Sequence, residues 1–268
     1  MKRAMTAVLA AGTLAGLTGC SYHFGTKVHE DRVVTLDHVA GQPLSVESAN
    51  GSVRITKSDN DLIRVDARVY SHSYERIDLT SIVTARRSDG TLFVGVDWPD
   101  GKRSGNEGCD FEISIPDATA VSVRTSNDEI ILDHIGTTAS LITSNDDVVV
   151  LGVPGPIDVR TSNDAVKIVG AVHPVDVSTS NDPISVTMAP EAVGPVDLST
   201  SNSDIRLVVG PSFAGTLRAG TSNGRVKIYG DAVREDNAST RATLRFREGG
   251  AHSTLSTSNG HVTVDVKD

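Results

Sequence analysis

Ile157-Asp158-Val159-Arg160-Thr161-Ser162-Asn163-Asp164-Ala165-Val166-Lys167-Ile168 is the stretch on which the reading of the chain turns. Counted from Asn163, apolar residues stand at minus 6, minus 4, plus 3 and plus 5. Two runs of period-two alternation on either side of a polar turn predict two short strands, each with one buried face. A helix would need apolar residues three and four apart, and that spacing is absent.

The same tripeptide recurs at Thr125-Ser126-Asn127, Thr143-Ser144-Asn145, Thr179-Ser180-Asn181, Thr200-Ser201-Asn202, Thr221-Ser222-Asn223 and Thr257-Ser258-Asn259, with a variant at Ser48-Ala49-Asn50. From Asn127 the steps between asparagines are 18, 18, 18, 21, 21 and 36 residues. A fixed period near 20 residues is the mark of a stacked array. The apolar offsets recur with it, for example at Val121, Val123, Ile130 and Leu132, and at Val175, Val177, Ile184 and Val186. Antiparallel hairpins would also suit the Asn-Asp and Asn-Gly dipeptides. Constant phase of the tripeptide against two apolar pairs favours coils. The expectation is an all-β, single-stranded parallel β-solenoid of about 18–21 residues per coil, rising about 4.8 Å per coil.

The 36-residue step predicts a degenerate coil centred on Arg241, with Leu244 and Phe246 at plus 3 and plus 5. Extra residues in the 21-residue steps fall in the turn-rich segments 189–194 and 211–215, and belong at a corner. Asn50 and Asn127 are 77 residues apart, which 18 does not divide. Strand-like runs between them, 62–70, 77–85, 92–96 and 111–115, read as a cap, because an open coil end presents unpaired backbone. Trp98, in the loop of that cap, reads as a ring packed over the solenoid end.

The first residues read as an export leader: Lys2 and Arg3, a short apolar run to Leu17, then Thr18-Gly19-Cys20. Leu17-Thr18-Gly19-Cys20 matches the bacterial lipobox, which implies cleavage before Cys20 and its diacylation, palmitate included. The expected organisation is a signal peptide at 1–19, lipidated Cys20 and a tether to residue 32, amino-terminal strands and cap at 33–120, and regular coils at 121–268. Ser21 behind the lipidated cysteine leans towards the outer membrane in a diderm cell. The chain carries a net charge of −9, and about −11 without its leader. That balance excludes nucleic acid as a partner. Cys109 would have no intramolecular partner, which excludes a disulfide framework, and it reads as a half-buried structural residue.

The repeated Val-x-Val-x-Thr-Ser-Asn-Gly/Asp-x-Val/Ile-x-Val units, the opening Val46 to Val53, and Ile115-Pro116-Asp117-Ala118-Thr119 together resemble the bacterial "putative adhesin" family, domains of unknown function. The resemblance runs from about Val33 to the carboxyl terminus. It implies a right-handed β-solenoid on an exported or envelope protein, without a known catalytic residue. Most units here carry Asp, or in one case Ser, where such repeats often carry Gly.

The asparagines Asn50, Asn127, Asn145, Asn163, Asn181, Asn202, Asn223 and Asn259 read as a structural turn ladder, because an amide both donates and accepts. Threonine two residues earlier should satisfy its hydroxyl in a similar ladder. Asp128, Asp146, Asp164 and Asp182 would line up at one-coil spacing; a calcium row is conceivable, although a solvated acidic corner needs no metal. Ser126, Ser144, Ser162, Ser180, Ser201 and Ser222 form an outward hydroxyl strip. The histidines show no ligand spacing, no phosphate loop occurs, and no acid-base pair can be assigned, so no catalytic residue and no cofactor are expected. The functional expectation is a non-enzymatic, lipid-anchored structural or adhesin-like module of the cell envelope that contacts another envelope protein or a glycan. Polysaccharide binding or turnover, and calcium-dependent adhesion, are the alternatives.

Overall fold

The computed structural model describes residues 27–105, 107–236 and 238–267. Almost all of it is strand, arranged as two long sheets with mostly parallel ladders, an architecture compatible with an all-β solenoid. Cys20 and the leader lie outside the described residues.

The amino-terminal third holds β1 (Val28–Asp37), β2 (Leu44–Glu47), β3 (Val53–Lys57), β4 (Leu62–Ser71), α1 (Tyr74–Leu79), β5 (Ser81–Arg86), β6 (Leu92–Asp97) and β7 (Gly108–Ile115). Residues 28–32, expected in the tether, are already strand: β1 runs antiparallel along β4 from Val28. Its alternating burial supplies the reason, with Val28, Val34 and Leu36 packed on the core. The run 77–85, expected as one strand, is split into α1 and β5. Ile77 is buried from the helix, and Arg32 of β1 donates to the Ile77 carbonyl (2.7 Å) and to that of Thr80. The segments 92–96 and 111–115, expected only as cap, form a full outer coil. Here β6 pairs in parallel with β2, and β7 with β3, while the loop containing Trp98 replaces the tripeptide corner. The cap proper is antiparallel: β1 and β4 continue the first sheet beyond β7, and β5 continues the second beyond β6.

Five regular coils follow: β8 (Ala120–Arg124) with β9 (Ile130–Asp133), β10 (Thr138–Ile142) with β11 (Val148–Leu151), β12 (Ile157–Arg160) with β13 (Val166–Ala171), β14 (Val175–Ser178) with β15 (Ile184–Met188), and β16 (Val196–Ser199) with β17 (Ile205–Val209). Even-numbered strands stack in the second sheet and odd-numbered strands in the first, all in parallel. The register is set by the apolar offsets: Val123 pairs with Leu141, Leu141 with Val159, and Val159 with Val177. Those inward positions fill one continuous core, where Leu141, Val159 and Val177 are fully buried. Shifting one coil by a single residue would turn its whole apolar set outward.

The last elements are β18 (Ala214–Thr221), β19 (Val226–Tyr229), β20 (Val233–Arg234), β21 (Arg241–Arg245), β22 (Arg247–Thr257) and β23 (Val262–Val266). They do not stack in chain order. The final coil, β22 with β23, lies between the β16–β17 coil and the β18–β19 coil. No coil is centred on Arg241, contrary to the expectation from spacing. Instead β21 runs antiparallel along the outer edge of β18, with Leu244 buried against Leu217, and β20 pairs outside it. With the outer edge of β18 taken by β21, only its inner edge is open to the last coil. The segment 211–215, expected as a corner insertion, is where the chain crosses itself. A Cβ at Gly250 would lie 2.2 Å from the Ala214 carbonyl carbon, and one at Gly215 (φ +92°) 2.1 Å from the Ala251 oxygen, so both positions require glycine.

Candidate functional site

The polar feature that runs the length of the stack is the corner between the two sheets. Each asparagine amide donates to the side-chain oxygen of the asparagine in the coil before it in space. Asn145 donates to Asn127, Asn163 to Asn145, Asn181 to Asn163, Asn202 to Asn181, Asn259 to Asn202 and Asn223 to Asn259, at 2.5–2.8 Å, and Asn127 donates to Asn50. Asn50 closes the row by donating to the Glu107 carbonyl at 3.0 Å. All eight amides are therefore engaged with one another and with backbone. Such a row works as a spine, and its polar groups are not left converging on a ligand.

The threonines behave differently from the expected hydroxyl ladder. Thr125, Thr200, Thr257 and Thr221 donate to the carbonyls of Gly51, Asp182, Ser203 and Gly260, each the residue after the asparagine of the preceding coil, at 2.8–3.3 Å. Their partner is backbone because the hydroxyl points along the stack, under the neighbouring turn. Thr161 and Thr179 are buried without a partner. The coils below them carry Asp146 (φ 96°) and Asp164 (φ 130°), so aspartate adopts a left-handed corner conformation here without glycine.

Asp128, Asp146, Asp164 and Asp182 follow successive asparagines of the spine. Burial first, then the carboxylates Asp146, Asp182 and Asp147, push the Asp164 pKa up. Asp128 is raised for the same kind of reason, burial followed by Asp110, with Asp146 adding to it. The Asp146 N–H donates to the Asp164 carboxylate, and Ala165 N–H to Asp147 at 3.0 Å. No group of three or more His, Cys, Asp or Glu among the described residues is arranged to hold a metal ion. The serines 126, 144, 162, 180, 201 and 222 are all exposed beside the spine.

A second outward row crosses the second sheet. Ser45, Ser122, Ser140, Asp158, Asp176 and Asp197 pair in that order, strand to strand. They floor an open groove of about 550 Å³, rimmed by Pro43, Pro156, Pro174 and Pro195. Arg160 clamps Asp176 through two bonds of 2.9 and 2.8 Å, which hold that carboxyl below its usual range. The spacing of the asparagines already contained this row, five residues before each corner, and an alternation count of the outward positions finds it.

At the amino-terminal end the groups that sequence spacing could not connect are Arg76 and Glu107. Arg76 of α1 grips the Glu107 carboxylate at 2.5 and 2.9 Å, and Ser71 Oγ and the Ser104 N–H also donate to it. The Glu107 side chain is only 2% exposed, and the guanidinium beside it holds its pKa down at about 2. Arg76 also donates to the Lys102 carbonyl and Arg103 to that of Glu107, which fixes the loop that replaces the corner. Trp98, at the start of that loop, is partly buried against the core. Cys109, expected half-buried, is fully buried on β7, and desolvation pushes its thiol pKa far up. The thiolate needed for nucleophilic chemistry is thereby disfavoured. No described helix is long and apolar enough to cross a membrane.

No protein-family model matches the chain, and no curated protein matches it. Solved structures similar to it include a "putative cell adhesion protein" from Clostridium sporogenes ATCC 15579, at 9% identity and TM-score 0.37, covering 89% of this chain and 100% of that one. A "putative adhesin" from Parabacteroides distasonis ATCC 8503 shares 11% identity at TM-score 0.36, with 89% and 97% covered. A "putative lipid binding protein" from the same organism shares 13% at TM-score 0.29, with 90% and 97% covered. The chain is thus similar to proteins called adhesins.

Proposed function

We propose that the protein is a lipid-anchored, extracytoplasmic, non-enzymatic interaction module of the bacterial cell envelope, adhesin-like in that its long outer faces meet another envelope component. The observation that carries this reading is the eight-asparagine spine. It consumes the most repeated polar groups of the chain in holding the stack together. What remains for contact is long and open: the serine strip beside the spine and the shallow groove over the serine-aspartate row of the second sheet. Long repetitive surfaces suit extended partners, whereas catalysis needs a nucleophile, acid or base converging on one point. Lipidation at Cys20 would place the rod on the outer side of the membrane, with two or three acyl chains giving stable attachment.

Three measurements test this. Metabolic labelling with palmitate should mark the wild-type chain and not a Cys20→Ser variant. The purified chain should sediment with isolated envelope fractions in a saturable way. It should turn over neither acidic nor neutral polysaccharides. Glycan turnover without saturable envelope binding would overturn the reading in favour of a polysaccharide-active solenoid.

A further inference from the structure

We propose that the outer face of the first sheet is an interface between two copies of this chain, related by a two-fold axis that runs along β11. The outward positions of that sheet carry an apolar cluster that the core does not use. Ile131 of β9, Val149 and Leu151 of β11 and Val169 of β13 lie side by side, with Ile131 paired to Val149 and Leu151 to Val169. All four alternate with the buried set, and Val169 is 36% exposed. Strand formation alone does not demand them. On the second sheet, outward positions of the same three coils are Ser122, Ser140 and Asp158, in ladders just as regular. A contiguous apolar cluster rimmed by charge has the composition of an interface core.

The charges around the cluster decide what covers it. Along one outward row the residues one strand either side of Val149 are Ile131 and Lys167. Two strands out they are Arg54 and Ser185, and three strands out Glu112 and Arg206. A two-fold axis along β11 lays each member of such a pair on the other member in the second copy. Val149 and Leu151 then meet their own counterparts, the Lys167 stem covers Ile131, Arg54 meets Ser185, and Glu112 meets Arg206. In the neighbouring row Asp133 stands one strand before Leu151, so the Lys167 ammonium comes diagonally onto the Asp133 carboxylate of the other copy. Arg206 already gives Asp265 a bond of 2.6 Å, but its side chain is 59% exposed and keeps further N–H groups for Glu112. No like charges are opposed between β7 and β17 in this arrangement.

The second sheet supplies the contrast. A two-fold axis along β14 would oppose Asp158 to Asp197, like to like, and its outward row has no apolar centre. The axis along β11 sets the two sheets face to face with their strands aligned, one of the two common sheet packings. At strand spacings of about 4.8 Å, the strands from β7 to β17 give a face of roughly 30 by 15 Å. That is about 450 Å² a side, below the roughly 800 Å² of a standard interface, so the dimer is a weak one with a Kd of about 100 µM. The interface needs neither Cys20 nor its lipid.

The test is sedimentation equilibrium of the full chain in a Cys20→Ser background, from about 10 µM to about 500 µM. The expected result is a reversible monomer–dimer equilibrium that weakens as salt is added. Val149→Asp opposes two carboxylates on the axis while the buried Val148 and Val150 stay in place, and should raise Kd at least about tenfold. Lys167→Glu and Asp133→Lys each bring like charges together and should each raise it about tenfold. The double variant exchanges the two charges and should return Kd to within about twofold of the starting value. Within one chain these residues lie two strands apart and in different rows, so recovery reports the contact between copies. Ser140→Lys, on the second sheet, should leave Kd unchanged. A monomer throughout the range, a dimer untouched by Val149→Asp, no recovery in the double variant, or a dimer lost in Ser140→Lys overturns the proposal. A monomer that instead binds phosphatidylglycerol vesicles, and loses them in Lys167→Glu, assigns the face to lipid and overturns it as well.

Discussion

The coil nearest the amino terminus and the coil nearest the carboxyl terminus both lie one place in from an end of the stack, yet they are held in opposite ways. β2 and β3 are continuous with paired strands on both sides, and the outer coil beyond them is pinned by the Arg76–Glu107 pair. β22 and β23 lie out of chain order, between the β16–β17 and β18–β19 coils, and are entered through a register shift beside Gly215. Pairing within the two slots is of the same kind, so a difference in stability between them would come from the ties outside the coils. In a stack where each coil contacts only its neighbours, the end with fewer ties outside the coils is the first able to open.

The largest effect should come from breaking the amino-terminal hold. Arg76→Ala leaves the Glu107 carboxylate buried with only Ser71 and Ser104 as donors, and should cost about 3 kcal/mol in denaturant unfolding at neutral pH. Since the folded-state pKa of Glu107 is lowered to about 2, its contribution is present above the unfolded value near 4.5 and is lost as pH falls towards 2. Acid should thus loosen this end in the wild type, and the variant should lose that pH dependence. Next in size, the Ser199→Cys/Ser256→Cys disulfide should raise stability by about 2 kcal/mol and slow unfolding, because it closes the end that opens first. A thermal scan with and without reductant checks it.

Within the spine, Asn163→Ala removes a bond given to Asn145 and one accepted from Asn181, and should cost about 1.5 kcal/mol by chemical denaturation. Asn223→Ala, at the end of the row, removes only the bond given to Asn259 and should cost about 0.5 kcal/mol. Equal costs would mean that the spine does not act as a continuous row. The smallest effect is expected at the acidic corner. The Asp164 pKa is raised in the folded state, so its favourable protonation is present below the unfolded value near 3.8 and is lost as pH rises through the folded pKa. Asp164→Asn should therefore raise the melting temperature slightly at pH 7, by roughly 0.5 kcal/mol in free energy, and the gain should vanish in acid.

The apolar offsets made the strands and their inward faces legible. Val159, Val166, Ile168 and their equivalents are where alternation puts them, and the asparagine of each coil falls at the corner. Spatial order at the carboxyl end was not legible, because identical offsets let the Asn259 coil stack equally well on the Asn202 coil or the Asn223 coil. What decides between them is β21 on the outer edge of β18, and nothing in the period announces that β21 turns back. The six-residue α1 was hidden for a related reason. Its apolar residues Ile77 and Leu79 also fit an alternating strand, and the choice is made by Arg32 and by the tie from Arg76 to a glutamate 31 residues away. Outward rows such as Ser45 to Asp197 follow from the register, and Pro43, Pro156, Pro174 and Pro195 line the groove beside them.

Native-state hydrogen exchange compares the two inserted coils most directly. Amides of β22 and β23 should exchange together through a sub-global opening, at least about tenfold faster than those of β2 and β3, while β12 and β14 stay at the global limit. Equal protection of the two inserted coils would contradict the claim that ties outside the coils, rather than the pairing shared by every coil, set which end of the stack opens.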